Sequence, residues 1–264
     1  MDASVLSLEE LMQETPHCYL QPKAFFVSWQ GVLTLAFRGF PTALITLKAA
    51  LQRHHPALAT ENSGSKWPKT TLGAIKDKKR LMPEQLTKLM AVCAEESACF
   101  AAAEEIAGLQ VRVDKAAIAM YECRSLERLL SLNEVRFSAA EDTSLPSPEE
   151  QQRVQTILDE AAEPDYWFAA SRDGNRELHY RGPALGVTLA HFLGAHSSAS
   201  SRSSHTNGTA GSSSSSSICG QKAGAQALIR VIDRFRRRVE AELPGMYCWF
   251  PDQVLHVTLR ALVG

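Results

Sequence analysis

The segment VLHVTLRALV, residues 254–263, alternates apolar and polar side chains in the manner of a strand with one buried face. Residues i and i+2 of a strand share a face, so His256 and Thr258 point the same way. The same alternation puts Arg260, at i+4, on that face. An earlier stretch, KTTLGAI at 69–75, has the same form: a polar triplet, Lys69-Thr70-Thr71, then Leu72. Lys69 and Thr71 also share a face.

Working outward from these triplets, their surroundings match. Trp67-Pro68 precedes the first and Trp249-Phe250-Pro251 the second. Before each lies a helical segment with the same tripeptide: Ala43-Leu44-Ile45 within 41–55, and Ala227-Leu228-Ile229 within 225–243. Before each helix, Gly31-Val32-Leu33-Thr34-Leu35-Ala36 resembles Gly186-Val187-Thr188-Leu189-Ala190. Gly31 and Lys69 are 38 residues apart; Gly186 and His256 are 70 apart, or 40 once the 30 residues 195–224 are set aside. That segment is low-complexity Ser with Gly and Thr, which buries too little apolar surface to offset its ordering entropy, and it is read as a disordered insertion. A unit this long is no solenoid period, so the repeat predicts an α+β protein of two similar lobes. The expected division is one bilobal domain over 1–264, with lobes near 20–145 and 146–264.

The remaining elements follow from periodicity and punctuation. Residues 25–40, rich in aromatic and β-branched side chains, predict one or two strands. Residues 83–106 predict a helix, with Leu86, Leu89, Met90 and Cys93 at spacings of three and four. Strands are expected over 109–121, 166–171, 177–181 and 185–193, and a connection over 138–148. Capping boxes open helices at Ser7-Leu8-Glu9-Glu10 and Ser147-Pro148-Glu149-Glu150.

Composition excludes several classes. Of 264 residues, 45% are hydrophobic and 22% charged, which rules out a wholly disordered chain, a collagen-like repeat and a coiled-coil rod. Lys plus Arg (28) against Asp plus Glu (29) leaves a net charge of -1, so an anionic ligand must be met by a local patch. The run Lys66, Lys69, Lys76, Lys78, Lys79, Arg80, opposed only by Asp77, is a candidate for that patch or a solvated loop. Six scattered cysteines without a C-x-x-C pair suit neither a disulfide scaffold nor a zinc site, and imply a reducing, intracellular setting. No apolar run approaches 18 residues, and the N-terminus lacks the features of a signal or transit peptide. The expectation is a soluble cytoplasmic chain with no membrane partner and a monomeric state.

A strand bearing His-x-Thr-Leu, placed at the matching point of a repeat, resembles the two-histidine phosphoesterase superfamily. This group includes the LigT-like RNA 2',3'-cyclic phosphodiesterases. The chain is similar to the plant and algal branch labelled "RNA ligase/cyclic nucleotide phosphodiesterase family", through GVLTLAFRGFP, GSKWPKTTLGAI and VLHVTLRAL. The resemblance covers about 31–75 and 186–263, and the middle only by its order of elements. It implies two lobes of mainly antiparallel sheet with helices outside and a central cleft where the motif strands face each other. It also implies a hydrolase acting on nucleotide or RNA phosphodiester ends without metal or other cofactor.

In that pattern two His serve as general base and acid, and two Thr hydroxyls hold phosphate oxygens. An imidazole suits both proton roles because its ordinary pKa, about 6.5, lies near working pH. Here the first His is Lys69. Its ammonium binds and polarises a phosphate but is a poor base unless desolvated. The candidate set is therefore His256 and Lys69 for catalysis, with Thr71, Thr258 and Arg260 on the phosphate. Two classes stand: a cyclic phosphodiesterase, or a catalytically degenerate relative that binds a nucleotide, RNA end or protein in the same place. Ligase, ATPase and dehydrogenase chemistry are excluded, since no K-x-D-G, P-loop or G-x-G-x-x-G motif is present.

Overall fold

The computed structural model describes residues 5–58, 61, 65–102, 106–172, 176–194 and 216–263. It is a mixed α/β structure with three mainly antiparallel sheets. The strands are β1 (Cys18–Leu20), β2 (Pro22–Val27), β3 (Leu33–Phe37), β4 (Lys69–Ile75), β5 (Val111–Val113), β6 (Lys115–Tyr121), β7 (Leu129–Arg136), β8 (Gly186–Phe192), β9 (Tyr247–Trp249) and β10 (His256–Val263). The first four-stranded sheet has order β2-β3-β4-β9 and the second β7-β6-β8-β10, all neighbours antiparallel. β1 and β5 form a separate ribbon. The helices are α1 (Leu8–Gln13), α2 (Thr42–His54), α3 (Pro83–Ser97), α4 (Pro148–Glu160), α5 (Trp167–Ala170), α6 (Arg176–Arg181) and α7 (Ser216–Glu242).

The β2–β3 hairpin turns through Trp29–Gly31, where Gln30 (φ 60) and Gly31 (φ 73) are left-handed. A Cβ on Gly31 would sit 2.1 Å from Ile75 Cδ1, so glycine is required there both for its backbone and for space. One face of the first sheet, marked by Phe25, is covered by α3 and α7: the Phe25 ring stacks on Phe235 at 4.2 Å, and the Phe25 amide donates to Ser97 Oγ at 2.8 Å. The seam expected on α7 is present, with Leu228, Ile232, Phe235 and Val239 fully buried. Glu96, buried on α3, pairs with Arg234 Nε at 2.6 Å and Arg238 at 3.1 Å, tying the two helices together. α2 buries Leu44, Leu47 and Leu51 and lies against β10, with α1 packed on α2 and β7. Ser7 and Glu10 close the expected capping box, whereas Ser147 accepts from the Glu150 amide and Glu150 turns to Arg153 instead.

Several expectations are corrected. The boundary at 145/146 does not separate the sheets: β6 and β7 pair with β8 and β10, and β9 completes the sheet of β2–β4. Residues 166–171 and 177–181 are helical, not extended; Tyr166 and Ala170 are buried at i and i+4, and Glu177 pairs with Arg181 at i+4. Asp114 divides 109–121 into β5 and β6, which join different sheets. Of the insertion 195–224, residues 195–215 lie outside the described residues, while 216–224 form the first turns of α7 rather than a disordered stretch. α7 packs against β5, and Gly224 allows the close approach, since a Cβ there would meet the Gln110 carbonyl at 2.2 Å. Cys18, Cys93, Cys123 and Cys248 are buried free thiols, and burial pushes the Cys18 thiol up to about 12. No helix among the described residues is long and apolar enough to cross a membrane.

Candidate functional site

Both triplets open a strand, and the two strands pack against each other. Their registers share one irregularity. In β4, Thr71 lies opposite Thr34 and Gly73 opposite Leu33, so Leu72 is an extra residue. In β10, Thr258 lies opposite Ala190 and Arg260 opposite Leu189, so Leu259 is extra. Each bulge thus falls on the Leu that follows the motif Thr, and both leucines are fully buried.

The bulge decides where Arg260 goes. Directly paired residues share a face, and Leu189 and Ala190 are neighbours on opposite faces. Arg260 therefore lies on the face opposite His256 and Thr258, and the alternation that placed it beside them is interrupted. It is 2% exposed and turned toward α2, donating to Gln52 Oε1 at 2.6 Å, with Glu61 4.0 Å away. Glu61 also pairs with buried Lys48 at 2.6 Å, so Arg260 belongs to a buried polar cluster that fastens β10 to α2.

His256 and Thr258 share a half-buried face of β10. Nδ1 of His256 lies 2.7 Å from the Val254 carbonyl. A carbonyl only accepts, so Nδ1 carries a proton and donates it to that carbonyl. Tyr180, on α6, which packs on β4, lies close to Thr71. Burial pushes the Tyr180 phenol up, against an opposing pull from Thr71, Arg176 and Arg124. His191, on β8, is a buried residue bonded through Nδ1 to the Lys115 carbonyl at 2.9 Å.

Lys69 places its ammonium over the Trp67 ring at 4.2 Å. Burial lowers its pKa to about 8, so at pH 7 roughly nine-tenths of it is charged. It is a donor and a positive charge at neutral pH, and becomes a base only above about pH 8. Lys69 also lines a cavity of about 350 Å³ between the first sheet and α4. Phe26, Trp67 and Tyr166 are its buried aromatic walls. Trp29, 61% exposed, stands at its rim and donates its indole N–H to Glu160 Oε1 at 3.1 Å. Lys66 and Arg153 add positive charge to the same rim. The residues lining this cavity do not include His256 or Thr258.

Sequence reasoning missed Tyr180 and the cavity wall. Tyr180 fell in a segment read as a strand; the Glu177–Arg181 spacing was the available signal for a helix. Trp29, Tyr166 and Glu160 come from three separate elements, and no local pattern joins them. No protein-family model, no curated protein and no solved structure matches this chain.

Proposed function

We propose that this chain is a two-histidine-type phosphoesterase-like protein that opens a 2',3'-cyclic phosphate or cleaves a short phosphodiester at the end of a nucleotide or RNA. One observation carries the reading: the triplets at 69–71 and 256–258 have the same local geometry. Each opens a strand and each has its Thr followed by a Leu bulge, within the antiparallel runs β2-β3-β4-β9, where β4 is third, and β7-β6-β8-β10, where β10 is the edge. These runs support a duplicated two-lobe architecture in which β4 and β10 meet at a central cleft.

In this reading Nε2 of His256 takes a proton from the attacking water as its oxygen bonds to phosphorus. The bond from phosphorus to the ribose 2'- or 3'-oxygen breaks, and the Lys69 ammonium stabilises or protonates that leaving oxygen. The hydroxyls of Thr71 and Thr258 donate to the non-bridging oxygens.

A second reading is favoured by one feature. A largely charged Lys69 beside an aromatic, cationic cavity suits retention of a nucleotide without turnover. The test is the purified chain with 2',3'-cyclic nucleotides in chelator, from about pH 5 to 9, beside the His256→Ala variant. Turnover lost in the variant supports hydrolysis. Turnover unaffected by it overturns the site, and nucleotide binding without turnover selects the binding module.

A further inference from the structure

We infer that the cavity beside Lys69 is a base-binding subsite selective for guanine nucleotides. The inference rests on the phosphoester reading only for the position of the phosphate. The volume, about 350 Å³, lies within the range of small-ligand sites. Its buried walls are aromatic, and Trp29, 61% exposed, is the most exposed aromatic side chain of the lining. A large exposed indole on the rim of an aromatic cavity is suited to stack a planar ring.

Charge gives the orientation. The cations Lys66, Lys69 and Arg153 line the cavity on the side of β4 and its preceding loop and on the adjoining face of α4. They attract the phosphate end of a ligand. Glu160, at the C-terminal end of α4, is the carboxylate among the described lining residues. One of its oxygens accepts from the Trp29 indole, which holds the carboxylate against the ring that would stack on the base. A carboxylate only accepts hydrogen bonds. Among the common bases, guanine presents two adjacent donors, N1–H and the 2-amino group, and so pairs with both carboxylate oxygens. Adenine, cytosine and uracil each offer fewer donors on one edge, and uracil and cytosine carry carbonyls that a carboxylate repels. A charge-assisted pair with both carboxylate oxygens discriminates because the other bases offer that carboxylate fewer donors.

Calorimetric titration of the full chain with GMP, AMP, CMP, UMP and inorganic phosphate tests this. GMP is expected to bind most tightly, with Trp29→Ala weakening it about tenfold or more. Glu160→Gln, an exposed and near-isosteric change, is expected to bring GMP down to the level of AMP without altering phosphate binding. Equal binding of the four nucleotides, or GMP binding indifferent to both substitutions, overturns the subsite. Turnover of 2',3'-cyclic nucleotides with no base preference also overturns it while leaving the phosphoester reading intact. Guanine-selective binding lost in Glu160→Gln, with no turnover of any cyclic nucleotide, sustains the subsite and overturns the phosphoester reading.

Discussion

β4 and β10 share a backbone plan but end it differently. Each begins with a long polar side chain, places a Thr on the same face and then bulges at a buried Leu. On β10 the opening residue is an imidazole whose Nδ1 donates to the Val254 carbonyl. On β4 it is an ammonium over Trp67, whose partial desolvation brings it to about 8. Past the bulge the strands diverge again. β10 carries Arg260 toward α2, whereas β4 carries Gly73, which allows Trp249 of β9 to lie close. The comparison teaches that the backbone geometry is held in common while the side chains at equivalent points are assigned unlike tasks.

Removing the opening residue of each strand is the sharpest way to break that comparison. His256→Ala should lower turnover about 10²–10⁴-fold, the contribution of one general acid–base group. Lys69→Ala should raise KM and lower kcat by less than His256→Ala does, and Lys69→His should raise kcat. Steady-state kinetics on cyclic nucleotides reads all three, and equal kcat losses from the two alanine variants would erase the distinction drawn here.

The divergence past the bulge is tested by Gly73→Ala. Its Cβ would come within 2.7 Å of the Trp249 ring and 2.9 Å of the Cys248 carbonyl, so β9 must be pushed off the sheet edge. The expected destabilisation is about 2–4 kcal/mol by denaturant unfolding. A loss under about 0.5 kcal/mol, the usual range for a harmless surface change, would show that β9 is not seated as described.

Lys69→Met probes the cost of holding an ammonium on β4. The folded pKa of about 8 lies below the ordinary 10.5, so between these values the unfolded chain binds more protons, and wild-type stability rises with pH. Below about pH 8 the burial cost is complete. There Lys69→Met should be more stable by about 2 kcal/mol, after allowing for the lost Trp67 contact. The gain should shrink from about pH 8 to 10.5, as thermal melts across that range will show; a constant difference would mean that Lys69 is not desolvated. Phosphate affinity of the wild type should fall over the same rise in pH as the ammonium is lost.

The smallest effect concerns the Tyr180 hydroxyl beside Thr71. Tyr180→Phe should cost about 1 kcal/mol of stability and leave nucleotide binding within a few fold. A loss of binding as large as that of Lys69→Ala would put Tyr180 on the ligand.

Much of this architecture was legible because its signals are local. The strand pattern of 25–40, the helical spacing of Leu44, Leu47 and Leu51, and the seam from Leu228 to Leu243 each report one buried face. The failures have physical causes. Tyr166-Trp167-Phe168 has strand-like residues, but Tyr166 and Ala170 bury together only on a helical turn. β7 leaves most of its side chains exposed on a sheet edge and so shows little alternation, while β9 has only three residues. Arg260 was misplaced because a bulge changes the parity of every later residue, and Thr258-Leu259-Arg260 bears no mark of it. The site pairings were visible as repeated triplets, but the cavity is made by residues from separate elements that only the fold assembles.

β9 also sets a timetable for synthesis. The edge of β4 that receives it is complete once residue 75 has emerged, but Tyr247–Trp249 comes roughly 170 residues later, about 10–35 s at ordinary elongation rates. Throughout that interval a hydrophobic strand has an uncovered row of amide and carbonyl groups, a template for pairing with other nascent chains. Lys76, Lys78, Lys79 and Arg80, directly downstream, give the waiting edge a cluster of like charge. In the finished protein Lys79 donates to the Gly245 carbonyl just ahead of β9, so the charge that guards the open edge later helps to latch it shut.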